Sequence, residues 1–333
     1  MRQKAPAKIP GQNPLPTGKP YPGRAGKDMV LTMYQIDFNK PTHVHFIGIG
    51  GRNMSGLAEL LADRGFTVSG SDRTQNAACE RLSQRGIKVF YGQYAENIAP
   101  DTGLVVYTAA IHEDNEELVR AKAAGIPLLN RAEFLGQLMR QYKDAISVAG
   151  THGKTTTASM LSTIFLEAGL DPSISIGTVL TPSGSSARAG HSEHFIVESC
   201  EYTNSFLHFY PRHEIILNIE AEHLDFFKDI EDIRHSFRLF MEKLPSGGNL
   251  VIQGDIEKID ELTEGLEGSG KTYDYWASSI TYNENDFGSY DLMHGDTLVA
   301  HITLQVVGEH NISNSVAAAA IADLLGVPAP AIV

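Results

Sequence analysis

Cysteine is nearly absent from this 333-residue chain. Cys79 and Cys200 are the two it has, too far apart and too few for a disulfide framework or a thiolate metal site. Long apolar runs are missing as well. None approaches the roughly 18 residues of a membrane-spanning helix, and the first residues hold no signal-peptide core. Positive charge is in deficit: 27 Lys and Arg against 40 Asp and Glu give a formal charge of −13. That balance argues against nucleic acid or a membrane surface as partner and favours small molecules. A cytoplasmic protein is expected, of an oligomeric state the sequence does not specify.

Core-forming residues are plentiful: 42% are hydrophobic and only 20% charged, enough for about two soluble domains of ordinary size. Residues 1–32 stand apart, rich in Pro, Gly, Lys and Arg and poor in core formers, so a flexible extension is expected there. From His43 onward, short apolar runs alternate with amphipathic stretches. That pattern predicts an α/β protein, with a Rossmann-like parallel-sheet domain over 33–142 followed by a P-loop-type α/β ATPase domain over 143–333.

Two glycine turns carry the chemistry. The second, Gly150-Thr151-His152-Gly153-Lys154-Thr155-Thr156, follows the apolar run Ala145–Ala149 and opens an amphipathic stretch reaching Ala168. Strand, glycine turn and helix let backbone N–H groups wrap a phosphate, with a lysine as counter-charge. The general P-loop has a glycine six residues before its lysine, where Val148 stands here, so a shorter loop of the same type is present. Lys154 would reach the β- and γ-phosphates of ATP and a Thr155 or Thr156 hydroxyl would bind Mg²⁺. The first turn, Gly48-Ile49-Gly50-Gly51, follows a buried-looking strand, with Asp72 at the end of the next one. This is dinucleotide-type geometry, although Asn53 takes the third glycine position. By itself it also fits an NAD-dependent oxidoreductase, against which the lysine loop argues.

Further polar groups follow successive strands, where open α/β sheets collect ligands: Glu198-Ser-Cys-Glu201 after one, Asn218 to Asp225 after another, and Gly308 to Asn314 before an alanine-rich helix. Taken singly, Glu201 reads as a helix-cap acid, His223 as a core histidine and Asn311 as a cap. Behind a phosphate loop, Glu201 and His223 read as site residues. His112 and His208 are read as structural, and Phe206, Phe209 and Tyr210 as core or sheet edge.

Together, Phe46–Gly51 with Met54-Ser55-Gly56, the Gly150–Thr156 loop, Glu198–Phe206, Asn218–Asp225 and Gly308–Asn314 resemble the ATP-dependent Mur ligases of peptidoglycan synthesis, from about residue 40 to the end. The resemblance implies that ATP activates the lactyl carboxylate of UDP-N-acetylmuramate as an acyl phosphate, which the amine of L-alanine then attacks. It implies Lys154 on the phosphates, Thr155, Glu201 and His223 as metal ligands, and Asn311 with His310 on the nucleotide. It places Gly48, Gly50, Gly51, Asp72 and Arg131 at the UDP group. The family departs from this chain at Arg52-Asn53, commonly a small residue and glycine, and at Glu222, commonly an aspartate. Members have three domains and this chain ends at Val333, where a third would begin, so a truncated ligase is expected. A non-catalytic binding module and a tripeptide-recycling relative are the competing readings.

Overall fold

The computed structural model describes residues 33–180, 185–266, 270–272 and 274–333, and the extension expected over 1–32 lies outside them. Gln35–Val333 forms one compact unit.

The chain opens with β1 (His43–Ile47), α1 (Arg52–Asp63), β2 (Thr67–Asp72), α2 (Ala77–Gln84), β3 (Lys88–Tyr91), β4 (Thr102–Tyr107), α3 (Glu116–Ala123), β5 (Leu128–Asn130) and α4 (Arg131–Met139). The five strands are parallel in the order β3-β2-β1-β4-β5, the doubly wound arrangement that leaves a crevice at the C-terminal end of β1. Met54, Leu57, Leu60 and Leu61 make one helical face of α1, and all are buried. β5, three residues long, went unread in the sequence because so short a run carries no periodicity.

The second half begins with β6 (Asp144–Ala149), α5 (Lys154–Glu167), β7 (Ser173–Leu180), β8 (Ser185–Arg188), β9 (His194–Glu198), β10 (His213–Ile216), α6 (Ile230–Met241), β11 (Gly248–Ile252), α7 (Ile259–Thr263) and β12 (Gly270–Thr272). These strands form a seven-stranded sheet in the order β12-β11-β10-β6-β9-β7-β8, parallel except at the β7–β8 edge. Its central strand, β6, is the one that leads into the Gly150 loop.

A third sheet was not expected as such. β13 (Tyr275–Tyr282), β14 (Phe287–His294) and β15 (Thr297–Val307) form an antiparallel meander, followed by α8 (His310–Leu324) and α9 (Ala329–Ile332). Only β15 was read from the sequence. In β14 the period-2 burial is carried by Gly288, Tyr290 and Leu292 among polar neighbours, a weak apolar signal. On α8 the run Ala317–Ala320 is fully buried, and its small side chains let the helix pack closely against α5.

The first two sheets share a core. One apolar cluster joins Phe46 and Val106 of the first sheet, Phe134, Leu135 and Leu138 of α4, and Phe195, Val197 and Ile216 of the second. α4 is the bridge: a Cβ on Gly136 would stand 1.9 Å from the carbonyl oxygen of His208. The Arg140 guanidinium lies 3.5 Å from the Tyr210 ring centroid. Phe206 and Phe209 are buried, as read from the sequence.

Candidate active site

The Gly150–Lys154 loop turns where no side chain fits. Gly150 (φ 140°) faces Leu217 and the backbone N of Asn218 at 3.0 and 3.1 Å from the Cβ it lacks, and Gly153 (φ 81°) faces Asn314 Oδ1 at 2.4 Å. Left-handed backbone and close approach both demand glycine. The loop is tied down by the segment after β10. Thr151 N donates to Asn218 O (3.1 Å), His152 N to Asn218 Oδ1 (2.6 Å), and Glu220 N to Thr151 Oγ1 (2.9 Å). α5 then starts with no side-chain cap and no acid in its first turn, leaving backbone N–H groups and the positive end of the helix dipole for an anion.

Lys154 curls back over this loop. Its Nζ donates to the carbonyls of Gly150 and, at 2.9 Å, Thr151, and pairs with Glu201 Oε2 at 3.1 Å. Glu201 is 2% exposed, so the lysine neutralises a buried carboxylate. Thr155 Oγ1 donates to Glu198 Oε2 at 2.9 Å, and the same oxygen accepts from Gly177 N at 2.6 Å. Thr156 makes no side-chain hydrogen bond among the described residues.

Opposite Glu201 stands His223, its Nε2 3.7 Å from Glu201 Oε1 and 3.9 Å from Glu222 Oε2. One ligand atom from each of Glu201, Glu222 and His223 lies within 4.8 Å of the others, a group able to hold a cation. His223 has φ +55°, and its ring lies against Tyr202, tilted by 30° with centroids 4.5 Å apart. His152 shares one of these acids, with its Nε2 3.9 Å from Glu222 and 3.7 Å from Glu220. Asn311 is buried, donates from Nδ2 to Val307 O (2.8 Å) and accepts from Asn314 (3.0 Å), while His310 is exposed. Their neighbours Glu309 and Ser313 line a cleft of about 580 Å³ together with Gln253, Asp255, Tyr275 and Trp276.

The first glycine turn is stiffened by β2. Gly48 N and Ile49 N donate to Ser71 O (2.8 and 2.9 Å), and Gly50 N donates to Asp72 Oδ2 (2.9 Å). Asp72 Oδ1 accepts from Thr74 N, so both carboxylate oxygens serve the backbone. Gly51 precedes α1, another helix without a side-chain cap or first-turn acid. Arg52, next in line, reaches across to the second sheet and donates to Gly177 O at 3.0 Å. Three hydrogen bonds thus connect the turns: Arg52 to Gly177, Gly177 to Glu198, and Thr155 to Glu198. Arg131 opens α4 and makes no hydrogen bond or ion pair among the described residues.

Lys154, Thr155, Glu201 and His223 are therefore brought together, with Gly150 to Gly153 around them. Gly48, Gly50, Gly51 and Asp72 form a separate turn. The sequence reading points to Glu201 and not to Glu198, whose signal is the end of a strand that pairs with the loop strand. Asn218 and Asn314 were missed as loop supports because their partners are 66 and 161 residues away in sequence.

A family model for the Mur ligase catalytic domain matches residues 43–143, and one for the Mur ligase middle domain matches residues 148–322, more than half of the chain. The chain belongs to the Mur ligase family. Among curated Mur ligases, the UDP-N-acetylmuramate–L-alanine ligase of Lachnoclostridium phytofermentans is 54% identical over 88% of this chain, and that of Agathobacter rectalis is 53% identical over 88%. The chain spans 66% and 65% of those two proteins, just under two thirds of their length. The fold recurs in solved Mur ligases. A UDP-N-acetylmuramate:L-alanyl-gamma-D-glutamyl-meso-diaminopimelate ligase from Neisseria meningitides is 28% identical, with a TM-score of 0.78, covering 88% of this chain and 98% of that one. The UDP-N-acetylmuramate-alanine ligase of Thermotoga maritima is 26% identical, with a TM-score of 0.72, covering 87% of this chain and 67% of that one. No helix among the described residues is long and apolar enough to cross a membrane.

Proposed function

We propose that this chain carries the ATP and sugar-nucleotide sites of an ATP-dependent ligase that joins L-alanine to UDP-N-acetylmuramate in the cytoplasm. The observation that supports it most is the pairing of Lys154 with Glu201 and of Thr155 with Glu198 beneath an uncapped helix N-terminus. In this reading residues 143–333 hold ATP and residues 33–142 hold the UDP-sugar at the Gly48–Gly51 turn, the uncapped α1 facing its diphosphate. Asp72 shapes that turn through the backbone N–H groups of Gly50 and Thr74.

The reaction transfers the γ-phosphoryl group of ATP to the lactyl carboxylate, giving ADP and an acyl phosphate. The amine of L-alanine attacks the acyl carbon, phosphate leaves, and an amide remains. Such a transfer gathers negative oxygens and needs positioned positive charge more than a nucleophilic side chain. Lys154 and the α5 N–H groups supply it on the triphosphate. The donor set suits a hard divalent cation: Thr155 and Glu198 present oxygens side by side, and Glu201, Glu222 and His223 form a second group. Mg²⁺ bound there adds Lewis-acid charge to the phosphoryl oxygens.

Calorimetric titration of this chain with Mg-ATP and with UDP-N-acetylmuramate tests the reading, with binding of both expected. Turnover in an L-alanine-dependent manner distinguishes it from tripeptide ligation, and a requirement for tripeptide in place of L-alanine would overturn it. The curated relatives that are 54% and 53% identical are both L-alanine ligases, which favours the first outcome.

A further inference from the structure

Arg131, half-buried at the start of α4, has no hydrogen-bond acceptor or ion-pair partner among the described residues. The acid nearest in sequence is engaged elsewhere: Glu133 accepts from Asn130 N (2.8 Å), completing a capping box in which Asn130 accepts from Ala132 N and Glu133 N. The other cations near the two turns have partners, Lys154 on three oxygens and Arg52 on Gly177 O. α4 packs on the Tyr202–His208 turn that directly follows Glu201, which puts its N-terminus by the Glu198–Glu201 edge; burial pulls the Arg131 pKa down, and Cys200 and Glu198 act against that pull. A half-buried guanidinium with no hydrogen-bonded or ion-paired partner among the described residues carries a desolvation cost that a bound anion would offset.

The position is rigid and well placed. Phe134, Leu135 and Leu138 seat α4 in the shared core, and Gly136 lies against His208, at the end of the kinked turn Tyr202–His208 that follows Glu201. Arg131 follows β5, Thr108 follows β4 and Gly48 follows β1, three neighbouring parallel strands. At strand spacing, the glycine turn and Arg131 are about 10 Å apart along the sheet edge, the scale of a sugar ring with a short side chain. A sugar nucleotide with its diphosphate at Gly48–Gly51 would lay its sugar toward Arg131 and the second sheet.

We propose that Arg131 binds the lactyl carboxylate of the sugar nucleotide and holds this phosphoryl acceptor beside the Glu198–Glu201 edge of the ATP site. The inference rests on the function proposed above and moves Arg131 from the UDP group to the reacting end of the substrate. A carboxylate approaching Glu198, Glu201 and a triphosphate is repelled by each of them. A planar guanidinium that can bind it through two N–H groups counters that repulsion and sets its orientation.

The test compares UDP-N-acetylmuramate with its lactyl amide, by calorimetry on the 333-residue chain. The wild-type chain is expected to prefer the carboxylate by about 100-fold. Arg131→Gln should bring the carboxylate down to the affinity of the amide, leave the amide within about threefold, and Arg131→Lys should recover part of the preference. An equal loss for both ligands in Arg131→Gln would overturn the inference in favour of a UDP contact while leaving the sugar-nucleotide reading intact. A wild-type chain that binds both ligands equally would also overturn it, with no variant involved. A wild-type chain that binds neither removes the sugar-nucleotide reading and the inference with it.

Discussion

The two glycine turns solve the same geometric problem with opposite electrostatics. Each follows a central parallel strand, passes through positive-φ glycine and opens a helix with no side-chain cap. At Gly48–Gly51 the stiffening group is an acid, Asp72, which accepts a backbone N–H from within the turn, and the support comes from the adjacent strand. At Gly150–Gly153 the stiffening group is a cation, Lys154, clamped between loop carbonyls and buried Glu201, and the supports come from the segment after β10 and from α8. An acid beneath a turn organises N–H groups for an anion that is only held. A lysine inside a turn brings charge to an anion that reacts. The difference suits a binding role for the first turn and a phosphoryl-transfer role for the second.

Lys154→Ala should break that contrast most severely. ATP affinity should fall about 100-fold or more, while UDP-N-acetylmuramate affinity stays within about threefold. Paired titrations check this, and equal losses would mean the turns are not functionally separate. Gly136→Ala probes the link between the sheets. Its Cβ would stand 1.9 Å from His208 O, and overpacking of this kind costs about 3 kcal/mol. Denaturant unfolding should show that cost in a single transition, whereas two transitions would mean the sheets unfold independently.

Gly153→Ala and Gly48→Ala compare the turns directly, since the φ values are nearly equal, 81° and 82°. Gly153→Ala should cost about 2 kcal/mol and Gly48→Ala about 1 kcal/mol, because the first new methyl meets Asn314 Oδ1 at 2.4 Å and the second only Thr108 Cγ2 at 3.0 Å. Thermal unfolding of both proteins measures the difference. The smallest effect concerns Glu214 on β10, fully buried with neither carboxylate oxygen hydrogen-bonded. Burial raises its pKa well above the usual 4.5, so the folded state binds its proton more tightly than the unfolded chain. Its contribution to stability is fully present below the unfolded pKa and is lost as pH rises through the folded one. Glu214→Leu should therefore gain about 1 kcal/mol at pH 8 and less at pH 5, read from chemical denaturation at the two pH values.

The sequence alone determined what local pattern can encode: apolar strand followed by glycine turn followed by helix, twice, with Lys154 and Thr155 at the second and Asp72 one strand on from the first. Those features lie within a few residues of each other or on adjacent strands, so spacing and periodicity carry them. β8, Ser185–Arg188, lay beyond that reach because Ser-Ser-Ala-Arg has little strand preference; it is buried beneath α1, where Gly56 packs against Ala187. Along the chain only Glu201 reads as a site residue, and Glu198 carries no role. Only the pairing of β9 with β6 set Glu198 against Thr155 and left Glu201 to Lys154. The reach of Arg52 to Gly177 and the lack of a hydrogen-bond or ion-pair partner at Arg131 among the described residues were likewise decided by tertiary packing. Charge partners are chosen by which strands and helices lie side by side, and a core shared by two sheets brings together residues far apart in the chain.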